Sequence, residues 1–269
     1  MMWSENKVLK KMSKRQIPYG MGIMLGNPRI VEIAGWSGFD FVQIDQEHTA
    51  FGFETIESLV RAADAVGMCS IVRVAENHPK DIARVLEAGA QGIVVPQVRN
   101  ADDVRKAIDA AHYEGKGTRG MCPVTRAARY YEPSWDRYEA WTRENIMVIP
   151  LIENAEAIEN LDEICALPGI DVIGFGAGDI GQSLGVGARG ISAPEVRAVF
   201  ERIAKVARKH GVLMKGTPVT ADSPAEVEHK LREMGVGMVV SDTDALLFSR
   251  ECRRHLENAW GPAAEGVGR

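Results

Sequence analysis

The chain has 269 residues, 45% of them hydrophobic, and a net charge of −5, which is ordinary for a globular protein large enough to bury its own core. The negative charge argues against a nucleic-acid partner, because phosphates demand clustered Lys and Arg. No apolar run reaches membrane-spanning length, and four cysteines without pairing or metal-ligand spacing predict a reduced, cytoplasmic protein with no membrane partner.

The first predicted element lies in residues 1–18. Val8, Leu9 and Met12 have the spacing of an amphipathic helix, which we expect to cover the floor of the domain. The segment also carries Glu5 and has no long apolar core, so it does not have the pattern of a secretory signal.

Eight short apolar runs, rich in Val, Ile and Gly, follow along the chain. The predicted strands are Tyr19–Met24, Phe41–Asp45, Ser70–Val74, Gly92–Val98, Ile146–Glu153, Val172–Gly176, Val212–Thr217 and Gly237–Asp242. The runs are continuous rather than alternating, which is typical of parallel strands covered on both faces. Helical patterns separate them, and Ser223-Pro224-Ala225-Glu226 has the composition of a helix start.

Eight β-then-α units predict an α/β fold, a single (β/α)₈ TIM barrel over residues 1–269, with a frayed tail at 260–269. A doubly wound sheet is the alternative. It usually has a Gly-rich loop after the first strand, and residues 24–28 (Met-Leu-Gly-Asn-Pro) do not form one.

The connection from Tyr113 to Asn145, which we place as a long loop after strand 4, exceeds ordinary loop length. Its high aromatic content opposes disorder. The sequence therefore predicts a structured lid or a subunit contact here.

Polar groups stand at the ends of several predicted strands, where TIM barrels carry their catalytic residues. They are Asp45 with His48 after strand 2, Arg73 near the end of strand 3, Glu153 after strand 5 and Asp179 just after strand 6. Each alone has an ordinary structural explanation, such as a helix N-cap or an ion pair. Five such residues on one rim of the barrel favour a catalytic site.

These residue types predict enolate chemistry. Glu153 and Asp179 provide carboxylate oxygens for a divalent cation with open coordination positions. Arg73 would face an oxygen that becomes negative, and His48, oriented by Asp45, would carry a proton. The Gly-rich turn 176–179 exposes backbone N–H groups to an anion such as a substrate carboxylate.

On these residues the chain resembles the metal-dependent (class II) pyruvate aldolases that cleave 4-hydroxy-2-oxo acids. That group includes hydroxy-oxo-heptanedioate and 2-dehydro-3-deoxy-glucarate aldolases and is related to macrophomate synthase and the citrate lyase β-subunit. The resemblance spans about residues 5 to 258. The motifs that carry it are Gly38-Phe39-Asp40-Phe41 with Ile44-Asp45-Gln46-Glu47-His48, Val72-Arg73, Gly89 to Pro96, Arg119-Gly120, Ile152-Glu153, Gly176-Ala177-Gly178-Asp179-Ile180 and Ser183-Leu184-Gly185.

The resemblance implies a TIM barrel, a homohexamer built as a trimer of dimers with the last helix exchanged, and a 2-oxo acid substrate. It implies Glu153 and Asp179 as ligands of Mg²⁺, with Mn²⁺ or Co²⁺ as alternatives, and Arg73 on the pyruvate oxygen. The Asp45–His48 pair matches the proton-transfer dyad. The amides of Gly178 and Asp179 match those that bind the pyruvate carboxylate.

Three positions depart from the family pattern. Leu151 stands where some members carry Gln, two residues before the metal Glu. Glu87 stands where some carry the Asp that supports the dyad from the adjacent subunit. Ala177-Gly178 replaces a turn that commonly contains Pro. Substrate preference and tuning of the dyad depend on these positions.

Other functions remain open at this point. Lys215 lies inside a predicted strand and could form a Schiff base, and other enolate-forming lyases or decarboxylases share the same needs. A phosphate-binding barrel isomerase expects Gly-rich loops after strands 7 and 8, which the chain lacks at 216–218 and 241–243. A non-catalytic scaffold does not explain the rim residues.

Overall fold

The computed structural model describes residues 3–131, 134–216 and 223–261. Its centre is a closed barrel of eight parallel strands in sequential order, and β1 pairs with β8 to close it. The strands are β1 (Tyr19–Ile23), β2 (Phe41–Asp45), β3 (Cys69–Arg73), β4 (Gly92–Val95), β5 (Met147–Ile152), β6 (Val172–Phe175), β7 (Leu213–Gly216) and β8 (Val236–Thr243). The predicted (β/α)₈ barrel is therefore confirmed.

Helices surround the barrel and return the chain from each strand to the next. They are α1 (Lys7–Ser13), α2 (Pro28–Trp36), α3 (Phe53–Ala65), α4 (Pro79–Glu87), α5 (Ala101–Ala111), α6 (Trp135–Asn145), α7 (Ala155–Glu159), α8 (Leu161–Cys165), α9 (Ala177–Ser183), α10 (Pro194–Lys209), α11 (Pro224–Glu233) and α12 (Asp244–Trp260). Ser223 caps α11, as its sequence predicts, by accepting a hydrogen bond from the Glu226 amide at 3.2 Å. None of the helices within the described ranges could span a lipid bilayer.

The strand boundaries agree with the predicted runs, with small differences at the ends. The strand predicted to reach Val98 ends at Val95, and β8 extends to Thr243. Thr217, the predicted end of strand 7, and residues 262–269 of the predicted tail lie outside the described residues. Trp260, the first residue of that predicted tail, is the last residue of α12.

Two apolar layers hold the barrel together. Side chains on the outer face of the strands pack against the helices, and Ile44, Val72 and Ile152 are fully buried there. Side chains on the inner face, including Phe41, Ile149 and Leu151, fill the barrel interior. The interior is thus a packed core, as expected for this fold.

Helix α1 covers the floor of the barrel, meaning the amino-terminal ends of the strands. Val8 is fully buried against the interior layer. Asn6 caps the helix and also donates through Nδ2 to the backbone oxygens of Gln91, at 3.2 Å, and Asn145, at 2.9 Å. The predicted floor helix is confirmed.

The long connection begins at the floor of the barrel. A lid would have to lie at the other end, over the carboxyl-terminal ends of the strands. Helix α5 follows β4 directly and brings the chain back to the floor, so residues 112–146 join α5 to β5. Within the described residues the connection packs as an aromatic cluster of Tyr113, Trp135 and Tyr138 against Trp3. The predicted long connection between Tyr113 and Asn145 is therefore confirmed, and because α5 (Ala101–Ala111) precedes it, the connection begins at the floor of the barrel.

Candidate active site

The mouth of the barrel, formed by the carboxyl-terminal ends of the strands, collects the polar residues that the sequence singles out. Asp45 and Arg73 end β2 and β3 and are directly paired in the strand register. Glu153 follows β5, and Asp179 lies in the first turn of α9 after β6. Because all eight strands are parallel and in sequential order, the ends of these strands lie on the same rim of the barrel.

Arg73 and Asp45 form the best-defined ion pair of the rim. The Arg73 Nε donates to Asp45 Oδ1 at 3.1 Å, and the Arg73 Nη2 donates to Asp45 Oδ2. Asp45 is 4% exposed, so this charge requires its partner. Its Oδ1 also accepts the backbone N–H groups of Glu47 at 3.0 Å and His48 at 3.3 Å. Asp45 therefore fixes both the arginine and the backbone that carries His48.

Glu47 is a functional candidate to which the sequence reading gave no role. Its Oε2 lies 3.1 Å from the second terminal nitrogen of Arg73 and 3.6 Å from Nε2 of His48. The contact with Arg73 is not aligned as a hydrogen bond, so this buried oxygen has no hydrogen-bond donor. Burial raises the pKa of Glu47, while Arg73 opposes that rise. The signal in the sequence was a second acidic residue directly after β2.

His48 stands at the outer edge of the site, and its side chain is more than half exposed. The structure brings its imidazole to Glu47 and does not bring it to the Asp45 carboxylate, which bonds to the His48 backbone N–H instead. Arg73 and two backbone amides occupy the Asp45 carboxylate, so within one chain Asp45 acts on His48 through its backbone, and the predicted orientation of the imidazole by Asp45 stays a prediction. Glu47 is the carboxylate beside the ring.

Glu153 is buried, with 3% of its surface exposed. Its Oε1 accepts the backbone N–H of Gln97 at 2.6 Å, and Gln97 has a φ of +53°, which is uncommon for a residue other than glycine. Gly176 leaves room for the carboxylate, since a Cβ there would lie 2.4 Å from the Glu153 Cβ. The sequence reading missed Gln97, whose role appears only once the β4 loop is folded against β5.

The environment of Glu153 opposes its ionisation. Burial, together with the negative charges of Glu47 and Asp179, raises its pKa to about 7, although the Gln97 amide and Arg73 act in the opposite direction. The ionised form of such a buried carboxyl group becomes favourable once a cation binds beside it. The rim therefore has a local excess of negative charge.

Asp179 and Gly178 lie exposed in the first turn of α9, which begins at Ala177. First-turn amides have no partner inside their own helix, and a Cβ at Gly178 would meet no atom within 4 Å. The backbone of Gly178 is thus open to a ligand. These features are compatible with the predicted role in binding a carboxylate.

The residues at the mouth fit a divalent cation bound by few protein oxygens. No cluster of three or more His, Cys, Asp or Glu residues suited to a metal occurs among the residues described, so a closed protein cage is absent there. Mg²⁺ is commonly held by one or two carboxylates with water and substrate completing its shell. The buried Glu47 oxygen without a donor and the raised pKa of Glu153 both indicate that positive charge would be stabilising.

Lys215 points into the barrel one layer below the rim. Its Nζ donates to Oε1 of Gln43 at 2.7 Å. Burial and, to a smaller extent, the charge of Arg73 lower the pKa of Lys215 to about 8, against the opposing effect of nearby carboxylates. The sequence reading found no second cation beside Lys215, and the fold supplies one in Arg73.

Glu87 lies away from the rim of its own chain. It ends α4 at the floor, where its backbone oxygen accepts the Ala127 N–H at 3.0 Å. It therefore has no contact with His48 within one chain. Its support of a dyad in an adjacent subunit stays a prediction.

Comparison with known proteins gives the family. Residues 19–237 match the model of the HpcH/HpaI aldolase/citrate lyase family. A 2-dehydro-3,6-dideoxy-6-sulfogluconate aldolase of Pseudomonas putida is 32% identical over 90% of this chain and 96% of its own length. A 5-keto-4-deoxy-D-glucarate aldolase of Klebsiella pneumoniae subsp. pneumoniae is 29% identical over 95% of this chain and 96% of its own.

Solved structures agree with this assignment. The crystal structure of an HpcH/HpaI aldolase from Desulfitobacterium hafniense DCB-2 superposes with a TM-score of 0.85 and 26% identity, covering 97% of this chain and 98% of that one. The relatives are aldolases, which supports a carbon–carbon lyase activity here. The chain belongs to the HpcH/HpaI aldolase/citrate lyase family.

Proposed function

We propose that this aldolase uses a divalent cation to cleave a 4-hydroxy-2-oxo acid into pyruvate and an aldehyde. The observation that carries the proposal is the cluster at the mouth, in which four carboxylates accompany two cationic side chains: Asp45, Glu47, Glu153, Asp179, Arg73 and Lys215. Such an excess of negative charge suits a cation of charge +2. The bound cation, Mg²⁺ in our proposal, would polarise the 2-oxo group and stabilise the negative charge that develops on it.

Glu153 and Asp179 would hold the cation, and Arg73 would stabilise the oxygen of the 2-oxo group. Arg73 uses two N–H groups in hydrogen bonds to Asp45, and three of its five donors remain, one of them on the nitrogen that lies 3.1 Å from Glu47 Oε2. Because Asp45 fixes the guanidinium, Arg73 needs little reorganisation when the substrate charge develops. The first-turn amides of Gly178 and Asp179 would bind the substrate carboxylate.

His48 would move the proton. In the cleavage direction it accepts the proton of the 4-hydroxyl group, the C3–C4 bond breaks to leave the aldehyde, and the bonding electrons pass into the enolate of pyruvate. The same proton, or one from water, then returns to C3 to give the methyl group. Glu47 would stabilise the charged imidazole, since its Oε2 lies 3.6 Å away.

A sugar-derived acid is the substrate class that we propose. Both relatives are named as aldolases of sugar-acid derivatives, one sulfonated and one a dicarboxylate. The test is to mix the purified protein and Mg²⁺ with several 4-hydroxy-2-oxo acids and to follow pyruvate release. Pyruvate from at least one of them supports the proposal, and no release from any, with an active relative as the positive control, contradicts it.

A Schiff-base mechanism through Lys215 is the second candidate. The lowered pKa of Lys215 and the proximity of Arg73 favour a nucleophilic amine. The two mechanisms differ in two assays. Chelation of the metal abolishes activity only in the first mechanism, and borohydride traps a substrate adduct only in the second.

We also propose a homo-oligomer, a hexamer arranged as a trimer of dimers. Within α12 only Asp244 is buried, whereas Leu247, Phe248 and Trp260 are exposed together with other apolar residues. Exposed apolar surface of this kind commonly marks an interface. Light scattering coupled to gel filtration tests it: a mass of six chains supports the proposal, and a monomer at micromolar concentration contradicts it.

A cytoplasmic location is proposed on the cysteine pattern alone.

A further inference from the structure

Lys215 occupies the layer of the barrel interior directly beneath the rim. Its side chain shares this layer with Gln43 and Leu151, the residues two positions before Asp45 and Glu153 on their strands. Ile71 and Met238 are fully buried within the same interior. Lys215 itself is partly buried, with intermediate exposure.

The charge of Lys215 has no carboxylate partner in the residues that the structure describes. Its acceptor is the neutral amide oxygen of Gln43, which is 8% exposed. Arg73, by contrast, is paired with both Asp45 and Glu47. Buried charges are normally paired because desolvation is costly. A lysine held only by a neutral group is therefore suited to an anion that enters the site.

The residues around Lys215 pack against its stem and strengthen the electrostatic interactions of its ammonium group. Gly174 has no side chain, and a Cβ there would lie 3.5 Å from Cε of Lys215 and 2.6 Å from Cδ1 of Leu151. The stem of the lysine and the leucine thus fill the space that this glycine leaves. An apolar neighbour lowers the local dielectric, which makes a charge–charge contact stronger than in water.

Lys215 remains mostly protonated at neutral pH. Its pKa is lowered to about 8, primarily by burial, so the ammonium form dominates at pH 7. The group can thus donate charged hydrogen bonds under physiological conditions. Arg73, Asp45, Glu47 and Glu153 are the charged groups that influence it.

We propose that Lys215 is a second cationic substrate-binding residue, whose ammonium group donates to the oxygens of the bound 2-oxo acid. The inference rests on the proposed function, because it requires a 2-oxo acid at the mouth. Lys215 complements Arg73. The guanidinium of Arg73 is paired with two carboxylates, whereas the ammonium group of Lys215 has no carboxylate partner among the described residues and can offer its positive charge to the substrate. At the neighbouring position Leu151 offers no donor, so the lysine is the polar contact of this layer together with Gln43.

The experiment compares pyruvate binding, measured by calorimetry with saturating Mg²⁺ at pH 7, for four proteins: wild type, Lys215→Met, Lys215→Arg and the control Lys106→Met, which alters an exposed lysine on α5. Lys215→Met should weaken pyruvate binding by about 10- to 100-fold, the range for a hydrogen bond to a charged group. Lys215→Arg should restore part of the affinity, and Lys106→Met should match wild type.

A structural role predicts a different result. Lys215→Met removes a buried charge, so we expect its melting temperature to be no lower than that of wild type although its pyruvate affinity falls. Equal pyruvate affinity in wild type and Lys215→Met would overturn the inference, as would a borohydride-trapped pyruvate adduct on Lys215, which would make it a nucleophile. Wild-type protein that neither binds nor releases pyruvate would refute the proposed function itself, and the inference with it.

Discussion

Replacing Glu153 with Gln should stabilise the metal-free protein above pH 7. Burial raises the pKa of Glu153 from 4.5 to about 7. The folded state therefore binds this proton more tightly than the unfolded chain does, and its stability falls as the pH rises from about 4.5 to about 7. At about 1.4 kcal/mol per pH unit, the ionised carboxylate costs folding on the order of 3 kcal/mol.

Glu153→Gln removes the negative charge of the side chain and keeps its hydrogen bond. The Gln97 N–H donates to Oε1 at 2.6 Å, and a glutamine retains an oxygen that can accept this bond. Urea unfolding in EDTA, at pH 5 and pH 8 and at one protein concentration, measures the effect. We expect Glu153→Gln to exceed wild type by about 2–3 kcal/mol at pH 8 and by under about 1 kcal/mol at pH 5.

Glu201→Gln is the matched control, because Glu201 is exposed on α10. It should leave the free energy of unfolding unchanged at both pH values. A Glu153→Gln protein that is no more stable than wild type at pH 8 would refute the reasoning that the carboxylate is held against its own ionisation. Saturating Mg²⁺ should stabilise wild type at pH 8, by about 2.7 kcal/mol at one hundred times the dissociation constant, but not the variant.

Three further predictions concern the rim. Asp179→Ala should abolish Mg²⁺ binding measured by calorimetry while the circular dichroism spectrum stays that of wild type; full binding would remove Asp179 from the ligand set. Arg73→Ala should lower kcat by about 10²–10³ and destabilise the fold by leaving Asp45 buried and unpaired; a change in KM alone would limit Arg73 to ground-state binding. His48→Ala should lower aldol cleavage by about 10²–10⁴ and oxaloacetate decarboxylation by less, since decarboxylation removes no hydroxyl proton; an equal fall in both reactions would contradict its role as proton carrier.

The barrel was predictable from sequence because its signal is local. Each buried parallel strand is a short continuous apolar run, and the sequence of β1 to β8 repeats that signal eight times. The floor helix was predictable for the same reason, since Val8 and Met12 follow a helical period. The long connection was predictable from its length, but its place at the floor of the barrel depends on α5, whose residues 101–111 include four alanines and five charged residues.

The site was predictable as a set of residue types but not as a set of contacts. Strand ends reveal Asp45, Arg73 and Glu153, since a carboxylate or guanidinium after an apolar run needs an explanation. Which carboxylate faces the imidazole depends on competition: Arg73 and backbone amides occupy Asp45, so His48 lies beside Glu47. Such competition is decided by the register of β2 against β3, which no single-strand pattern contains.

Metal dependence of pyruvate release is the most direct test of the central claim. Wild-type protein, treated with EDTA and dialysed, is assayed with a 4-hydroxy-2-oxo acid that the untreated enzyme cleaves, before and after addition of Mg²⁺, Mn²⁺ or Co²⁺. Chelation should abolish pyruvate release, a divalent cation should restore it, and Asp179→Ala should not be rescued. Undiminished pyruvate release from the metal-free wild type would contradict a metal-dependent mechanism.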